Sequence, residues 1–345
     1  MNERDLFQPE WVKRYGTGIK RLSDCVERQE YSWQTEKGYL YLCRLWPGIT
    51  IWKNEVNMHS LPSELLTNYP FLKLNYCTAG RCETLLENGS YVYLEEGDLS
   101  IDCNAPKESF QYPTGKYEGL EIVFNMEILK QQPVTALMDF GIGLEWCECL
   151  KNKYQGSLIT NVSSELDVLA RTIMDKLKAA NGRVEDYRFL TVKMLYMLGK
   201  GHVMTWRRNT YVTKGQRLVA ENVRERLCSD LRKQQTVEEM AEEFGISPSS
   251  LKKYFRLVYG SPVSEYIRNV KMELACRLLR ETQMRIGEVA MEAGYASQGK
   301  FGRAFKKYTG ETPLEYRRNG IGGAENAKAD KAKKWTKGAD CCSRW

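Results

Sequence analysis

Residues 294–310 read "GYASQGKFGRAFKKYTG", and the reading of this stretch decides the fold of the last third of the chain. It holds four cations, Lys300, Arg303, Lys306 and Lys307, with no acid between Ala296 and Tyr308. Phe301 and Phe305 are four residues apart, so a helix here turns both rings to one side and the cations to the other. Gly299 and Gly302 lie inside that helix, where each glycine costs about 1 kcal/mol of helix propensity relative to alanine.

The same plan occurs about 50 residues earlier, in "TVEEMAEEFGISPSSLKKYFRLVYG" at 236–260. Thr236 is placed to cap a short helix from Val237 to Phe244, and Gly245 to end it in the left-handed region that favours glycine. Ser247 then caps a second helix with Pro248 at its first position, where a missing N–H costs nothing. Charge is segregated: Glu238, Glu239, Glu242 and Glu243 fall on the first helix, and Lys252, Lys253 and Arg256 on the second, which carries no acid. In the later unit Ile286, Val289 and Ala290 match Val237, Met240 and Ala241, Gly294 matches Gly245, and Phe301 and Phe305 replace Leu251 and Phe255. These four large apolar residues read as core.

Between the units, "SPVSEYIRNVKMELACRLLRET" places Val263, Tyr266, Ile267, Val270, Leu274 and Leu278 on one long helix. About 18 residues at 1.5 Å each span about 27 Å, close to the roughly 34 Å between major-groove faces one turn apart on a duplex. Charge points the same way. Residues 1–214 hold 26 Lys and Arg against 27 Asp and Glu, residues 215–320 hold 19 against 14, and residues 321–345 hold 6 against 3. The net charge of +7 therefore sits in the C-terminal part, as a polyanionic partner requires.

The first part of the chain reads differently. From 39 to 125, "YLYLCRLW", "GITIWKNEV", "FLKLNYCTAG", "RCETLLENG", "SYVYLEEGD", "LSIDCN" and "YEGLEIVFN" alternate as short strands separated by turn signals. The expectation is a small β sandwich or barrel ending near residue 130. "SSELDVLARTIMDKLKAA" then sets Leu166, Leu169, Ile173, Met174 and Leu177 on one helical stripe, and "VEDYRFLTVKMLYMLGKGHVMTW" reads as a second helical segment. Joined by "NGR", the two suit an antiparallel hairpin over 131–206, able to cover the sheet or pair two subunits. "RRNTYVTKG" at 207–215 reads as a linker, and the Ala/Lys-rich stretch 319–345 as a basic disordered or weakly helical tail. The fold class expected is α+β, with an all-α C-terminal domain over 216–318.

No apolar run approaches the roughly 18 residues of a membrane span, and the charged start "MNERDLFQPEW" lacks a signal-peptide core, so a cytoplasmic protein is expected. The 11 cysteines then read as reduced thiols rather than a disulfide framework. "WCECL", with Cys147 and Cys149, and the pair Cys341 and Cys342 lack a second close cluster, and His59 and His202 are the two histidines of the chain, so neither metal nor other cofactor is expected. Trp33, Trp46, Trp52 and Tyr41 could line an effector pocket or form ordinary core.

With these motifs assembled, residues 216–318 resemble the DNA-binding domain of the AraC/XylS family of bacterial transcription regulators. The resemblance rests on the GY at 294–295, the Phe301 and Phe305 spacing, and the ending at Gly310, Pro313, Tyr316 and Arg317; it covers about 100 residues. It implies two helix-turn-helix motifs on double-stranded DNA and a cupin-like companion domain that senses a small-molecule effector or dimerises. It also implies an activator with RNA polymerase as partner, and no enzyme. Base-reading positions carried over from the family fall on Ser249, Lys252 and Lys253, with Arg256 for phosphate. In the second unit they fall on Gln298, Gly299, Gly302 and Arg303, with Lys300, Lys306 and Lys307 on the backbone. Either the second unit docks closely and reads through Gln298 and Arg303, or it is chiefly a clamp. A thiol-based redox or metal sensor, and a cupin-type enzyme with an appended DNA module, are the alternatives.

Overall fold

A computed structural model describes residues 16–33, 36–62, 70–85, 89–103, 109–154, 158–199, 203–206, 211–233 and 235–321. His202, Cys341, Cys342, residues 207–210 of the expected linker and the tail from 322 onward lie outside the described residues, as does the side chain of Trp33. The chain divides into two compact units, 1–211 and 212–345. The first combines a large antiparallel sheet with helices and the second is helical among the described residues, so the chain is α+β.

In the first unit the strands are β1 (Gly16–Arg21), β2 (Val26–Trp33), β3 (Glu36–Trp46), β4 (Ile49–Asn57), β5 (Ser60–Pro62), β6 (Phe71–Leu85), β7 (Tyr91–Glu95), β8 (Asp98–Asp102), β9 (Ser109–Gln111) and β10 (Tyr117–Asn125). Helices α1 (Met126–Gln131), α2 (Thr135–Met138) and α3 (Leu144–Tyr154) follow, then β11 (Leu158–Val162), α4 (Ser164–Ala179), α5 (Val184–Gly199) and β12 (Val203–Trp206). The main path of the sheet runs β1-β2-β3-β4-β10-β6-β8-β11-β12, with β7 and β9 on the far half of β6 and β5 on β9.

Three elements differ from the sequence expectation. "FLKLNYCTAG" and "RCETL" form one strand, β6, because Gly80 at φ 78° turns it from one set of partners to the other. A Cβ at Gly80 would overlap the Lys116 carbonyl oxygen, so only glycine permits this crossing. The segment expected to be helical through Trp206 stops at Gly199, and 203–206 returns as β12 beside β11, so the stretch after residue 130 adds two strands to the sheet. β1 and β2 also precede the first strand read from the sequence.

Alternation along the strands gives the sheet two buried faces. One carries Ile51, Leu74, Tyr76, Leu120, Ile122 and Phe124 and packs on the helices, where the expected stripe Leu166, Leu169, Ile173, Met174 and Leu177 is buried throughout. Ser163 caps α4 by accepting from the Leu166 N–H, and the Tyr76 hydroxyl donates to Asp167 Oδ1 at 2.6 Å, pinning the first turn of that helix to the sheet. The other face carries Tyr31, Leu40, Leu42, Trp52 and Val123 and packs on Met58, Val92, Leu94 and Tyr112. Tyr41 belongs to the first face and Trp52 to the second, so they do not line one pocket; Trp46 packs with the first. His59 sits at the edge of this region, its backbone N–H on Glu36.

In the second unit the helices are α6 (Lys214–Ser229), α7 (Val237–Glu243), α8 (Pro248–Tyr259), α9 (Val263–Glu281), α10 (Ile286–Glu292), α11 (Gln298–Thr309) and α12 (Pro313–Ile321). Helix α6 begins inside the expected linker because Thr213 and Gln216 close a capping box there. Helix α7 stops one residue short of the expected Phe244, which becomes its C-cap.

Candidate nucleic-acid interface

Local chemistry sets up the pair α7 and α8. Thr236 and Glu239 form a reciprocal capping box, and the backbone N–H of Thr236 on the Glu239 carboxylate holds its pKa below the usual range. Gly245 turns the chain at φ 64°, Ser247 accepts from the Ser250 N–H, and Pro248 takes the first turn of α8. The pair α10 and α11 repeats the device, with Gly294 at φ 70° and Ser297 accepting from the Lys300 N–H. At this turn a Cβ on Gly294 would overlap the Leu231 carbonyl oxygen, and Lys271 Nζ donates to the Gly294 carbonyl at 3.3 Å. Burial lowers the Lys271 pKa.

Leu251 and Phe255 on α8, and Phe301 and Phe305 on α11, are wholly buried, as core and not as wedges for a base stack. Phe255 meets Tyr266 of α9 edge-on at 5.3 Å, and Phe305 meets Tyr316 of α12 edge-on at 5.3 Å. The motif ending at Tyr316 and Arg317 is thereby structural: Arg317 Nη2 donates to the Met284 carbonyl at 2.6 Å and its Nε to that of Leu279 at 3.4 Å.

Helix α9 joins the two pairs, and its 19 residues are about 28 Å long. Its buried set differs from the expected stripe. Val263, Tyr266 and Val270 are buried, but Met272, Ala275, Cys276 and Leu279 replace Leu274 and Leu278, which are half-buried. The face rotates because the first half of α9 packs on α8 and the second half on α10, α11 and α12, two bodies at different angles about one axis.

With the rings turned inward, every polar residue singled out from the sequence on α8 and α11 lies outward. Ser249, Lys252, Lys253 and Arg256 are exposed on α8, and Gln298, Lys300, Arg303, Lys306 and Lys307 on α11, with no acid on either helix. Two details were not legible in the sequence. Lys252 Nζ lies 3.6 Å from Glu238 of α7, an exposed pair. Gln298 leans back toward α10, its Oε1 3.4 Å from where a Gly287 Cβ would stand. Nothing among the described residues explains the two helical glycines: a Cβ on Gly302 would meet no atom within 4 Å outside its own helix backbone, and one on Gly299 only Ser297 Oγ at 3.8 Å.

Burial pushes Cys103 up to about 11 and Cys147 up to about 12, which disfavours the reactive thiolate. Among the described residues no group of three or more His, Cys, Asp and Glu could hold a metal, and no helix is long and apolar enough to cross a membrane.

Comparison with known proteins places these helices in context. A family model described as "Helix-turn-helix domain" matches residues 240–319. "Regulatory protein SoxS" of Salmonella typhimurium is 37% identical over 81 residues, 24% of this chain and 76% of SoxS. "HTH-type transcriptional activator RhaR" of an Enterobacter species is 28% identical over 120 residues, 33% of this chain and 43% of RhaR. Among solved structures, a DNA-binding transcriptional dual regulator from Escherichia coli K-12 is 28% identical, covering 30% of this chain and 92% of its own, at a TM-score of 0.27.

Proposed function

The chain belongs to the AraC/XylS family of bacterial transcription regulators, and from that premise we propose that it grips double-stranded DNA with two helix-turn-helix motifs, α8 and α11 entering successive major-groove turns. The observation that carries this reading is the repeat: two capped, acid-free helices with buried rings and exposed cations, joined by a helix of about one groove spacing. Ser249, Lys252 and Lys253 read bases from α8, and Gln298 and Arg303 from α11. Arginine suits guanine as a bidentate donor, and glutamine suits adenine. Arg256, Lys300, Lys306 and Lys307 hold phosphates, which contribute salt-dependent, sequence-blind affinity.

In this reading the β unit is a cupin-like domain that senses a small-molecule effector or pairs two subunits, and the protein acts as an activator alongside RNA polymerase. RhaR, whose name describes an activator, supports that sign of regulation. The unit is not read as an enzyme, because His59 is the one histidine between residues 1 and 201 and cupin-type catalysis needs a cluster of them.

Selection of bound sequences from a random duplex pool, followed by footprinting on the winner, tests the proposal. Enrichment of a site with two protected patches one turn apart is expected; recovery of unselected pool sequence would end it.

A further inference from the structure

Two thiols meet where β2 begins. Val26, the first residue of β2, pairs with Cys43 of β3. Cys25 is one step along the chain from that pair, which puts its Cα about 6 Å from that of Cys43, inside the roughly 4.4–6.8 Å that a disulfide spans. Strict alternation would turn the two side chains to opposite faces of the sheet. Cys25 escapes it because it lies in a turn, closed by the N–H groups of Leu22 and Ser23 on the Val26 carbonyl at 2.9 and 3.2 Å. Its side chain packs on the helix-covered face with Cys43, and the two thiols are hydrogen-bonded.

The partners are not equivalent. Cys43 has no exposure, and burial, then the Cys25 thiol beside it, push its pKa above the usual thiol range. Cys25 is half-buried and passes its own S–H to the Gly182 carbonyl at 3.6 Å. Gly182 lies in the turn between α4 and α5, where Ala180 at φ 50° and Gly182 at φ 121° hold backbone conformations that L residues rarely adopt. Tyr187 closes the same turn by donating to the carbonyls of Lys176 and Asn181 at 2.9 and 3.2 Å. The Cys25 thiol is therefore a hydrogen-bonded link from the sheet to the helical hairpin. Cys77 and Cys82 differ: both are buried on β6 and turn their thiols to the carbonyls of Ala79 and Glu83 at 3.5 and 3.7 Å.

We propose that Cys25 and Cys43 are a reversible redox pair: a hydroperoxide oxidises them to a disulfide, and loss of the Cys25 S–H releases the α4–α5 turn from the sheet. The Cys25 thiolate attacks a peroxide oxygen, an S–O bond forms as the O–O bond breaks, and the departing hydroxide takes up the Cys25 proton as water. Cys43 sulfur then displaces the second hydroxide from the Cys25 sulfenic acid, S–S replacing S–O, and that hydroxide leaves with the Cys43 proton. Two thiols thus lose two electrons and two protons, hydrogen peroxide becomes two waters, and a dithiol restores the pair by exchange. A disulfide has no S–H, so the Gly182 carbonyl loses its donor. This goes beyond the DNA reading and does not depend on it.

Treatment of the full chain with graded hydrogen peroxide, a maleimide quench and peptide mapping without reduction tests the pair. A Cys25–Cys43 cross-linked peptide is expected, and dithiothreitol returns both thiols. Cys43→Ala strands Cys25 as the sulfenic acid and raises its labelling by dimedone several-fold over the natural chain. Hydrogen exchange across residues 180–187 speeds up several-fold on oxidation, and reduced Cys25→Ala, lacking the same donor, matches the oxidised protein and ignores peroxide. Cys25 and Cys43 still reduced when the exposed Cys149 is fully oxidised, Cys25 joined to a different cysteine, or equal dimedone labelling with and without Cys43 overturns the pair. The map of the natural chain decides the matter even if Cys43→Ala does not fold. A Cys25–Cys43 disulfide with unchanged exchange in the turn contradicts the release and upholds the pair.

Discussion

Lys252 Nζ lies 3.6 Å from the Glu238 carboxylate, so the acidic helix α7 reaches across the turn to a cation that the proposed interface needs. To meet DNA, Lys252 must leave this partner. Exposed pairs contribute about 0.2–1 kcal/mol, so Glu238→Gln is expected to raise DNA affinity by up to about five-fold. In a Lys252→Ala background the same change should do nothing, and a binding isotherm on the four proteins at one salt concentration measures the coupling.

The open space over Gly302 separates the two accounts of α11. Alanine there should stabilise the folded chain by about 1 kcal/mol, because its Cβ meets nothing within 4 Å. If the helix docks closely, the same methyl lowers DNA affinity several-fold. A higher melting temperature with unchanged affinity would assign α11 the role of a clamp.

Gly294 is constrained from within, in contrast to Gly302. Its Cβ would overlap the Leu231 carbonyl oxygen, and its φ of 70° strains any L residue. Gly294→Ala is expected to cost at least about 2 kcal/mol, read by urea denaturation, and to displace Lys271 from the Gly294 carbonyl.

Phe255 and Phe305 are both wholly buried, each edge-on to a tyrosine. Truncating either to alanine should destabilise the fold by about 3–5 kcal/mol. Because DNA binds only the folded unit, affinity should fall in step with stability and recover at lower temperature where refolding is complete.

Much of this was legible in the sequence where one residue type has one local job. Ser247, Ser297 and Thr236 cap helices, Gly245 and Gly294 turn the chain, and the spacing of Phe301 and Phe305 fixes which side of α11 is inside. What escaped depends on partners distant in the chain. β2 is "VERQEYSW", too polar to announce a strand, and it exists because β3 supplies the ladder. β12 follows a helix with an apolar face and reads as its continuation until β11 claims it. The rotation of the buried face of α9 reflects two bodies packed on one helix. The outward cations could be named from the sequence, but the Glu238 partner of Lys252 could not.

Arg303 and Lys306 share one face of α11 but are assigned different work. Methylation interference at guanine N7, on a duplex recovered by selection, tests the central claim most directly. The account predicts two clusters of interfering guanines about 10 base pairs apart; Arg303→Ala erases one position in the cluster under α11, and Lys306→Ala weakens both clusters alike and lowers the salt slope by about 1. A single cluster, or equal sequence-blind losses from both substitutions, would contradict two units reading successive turns.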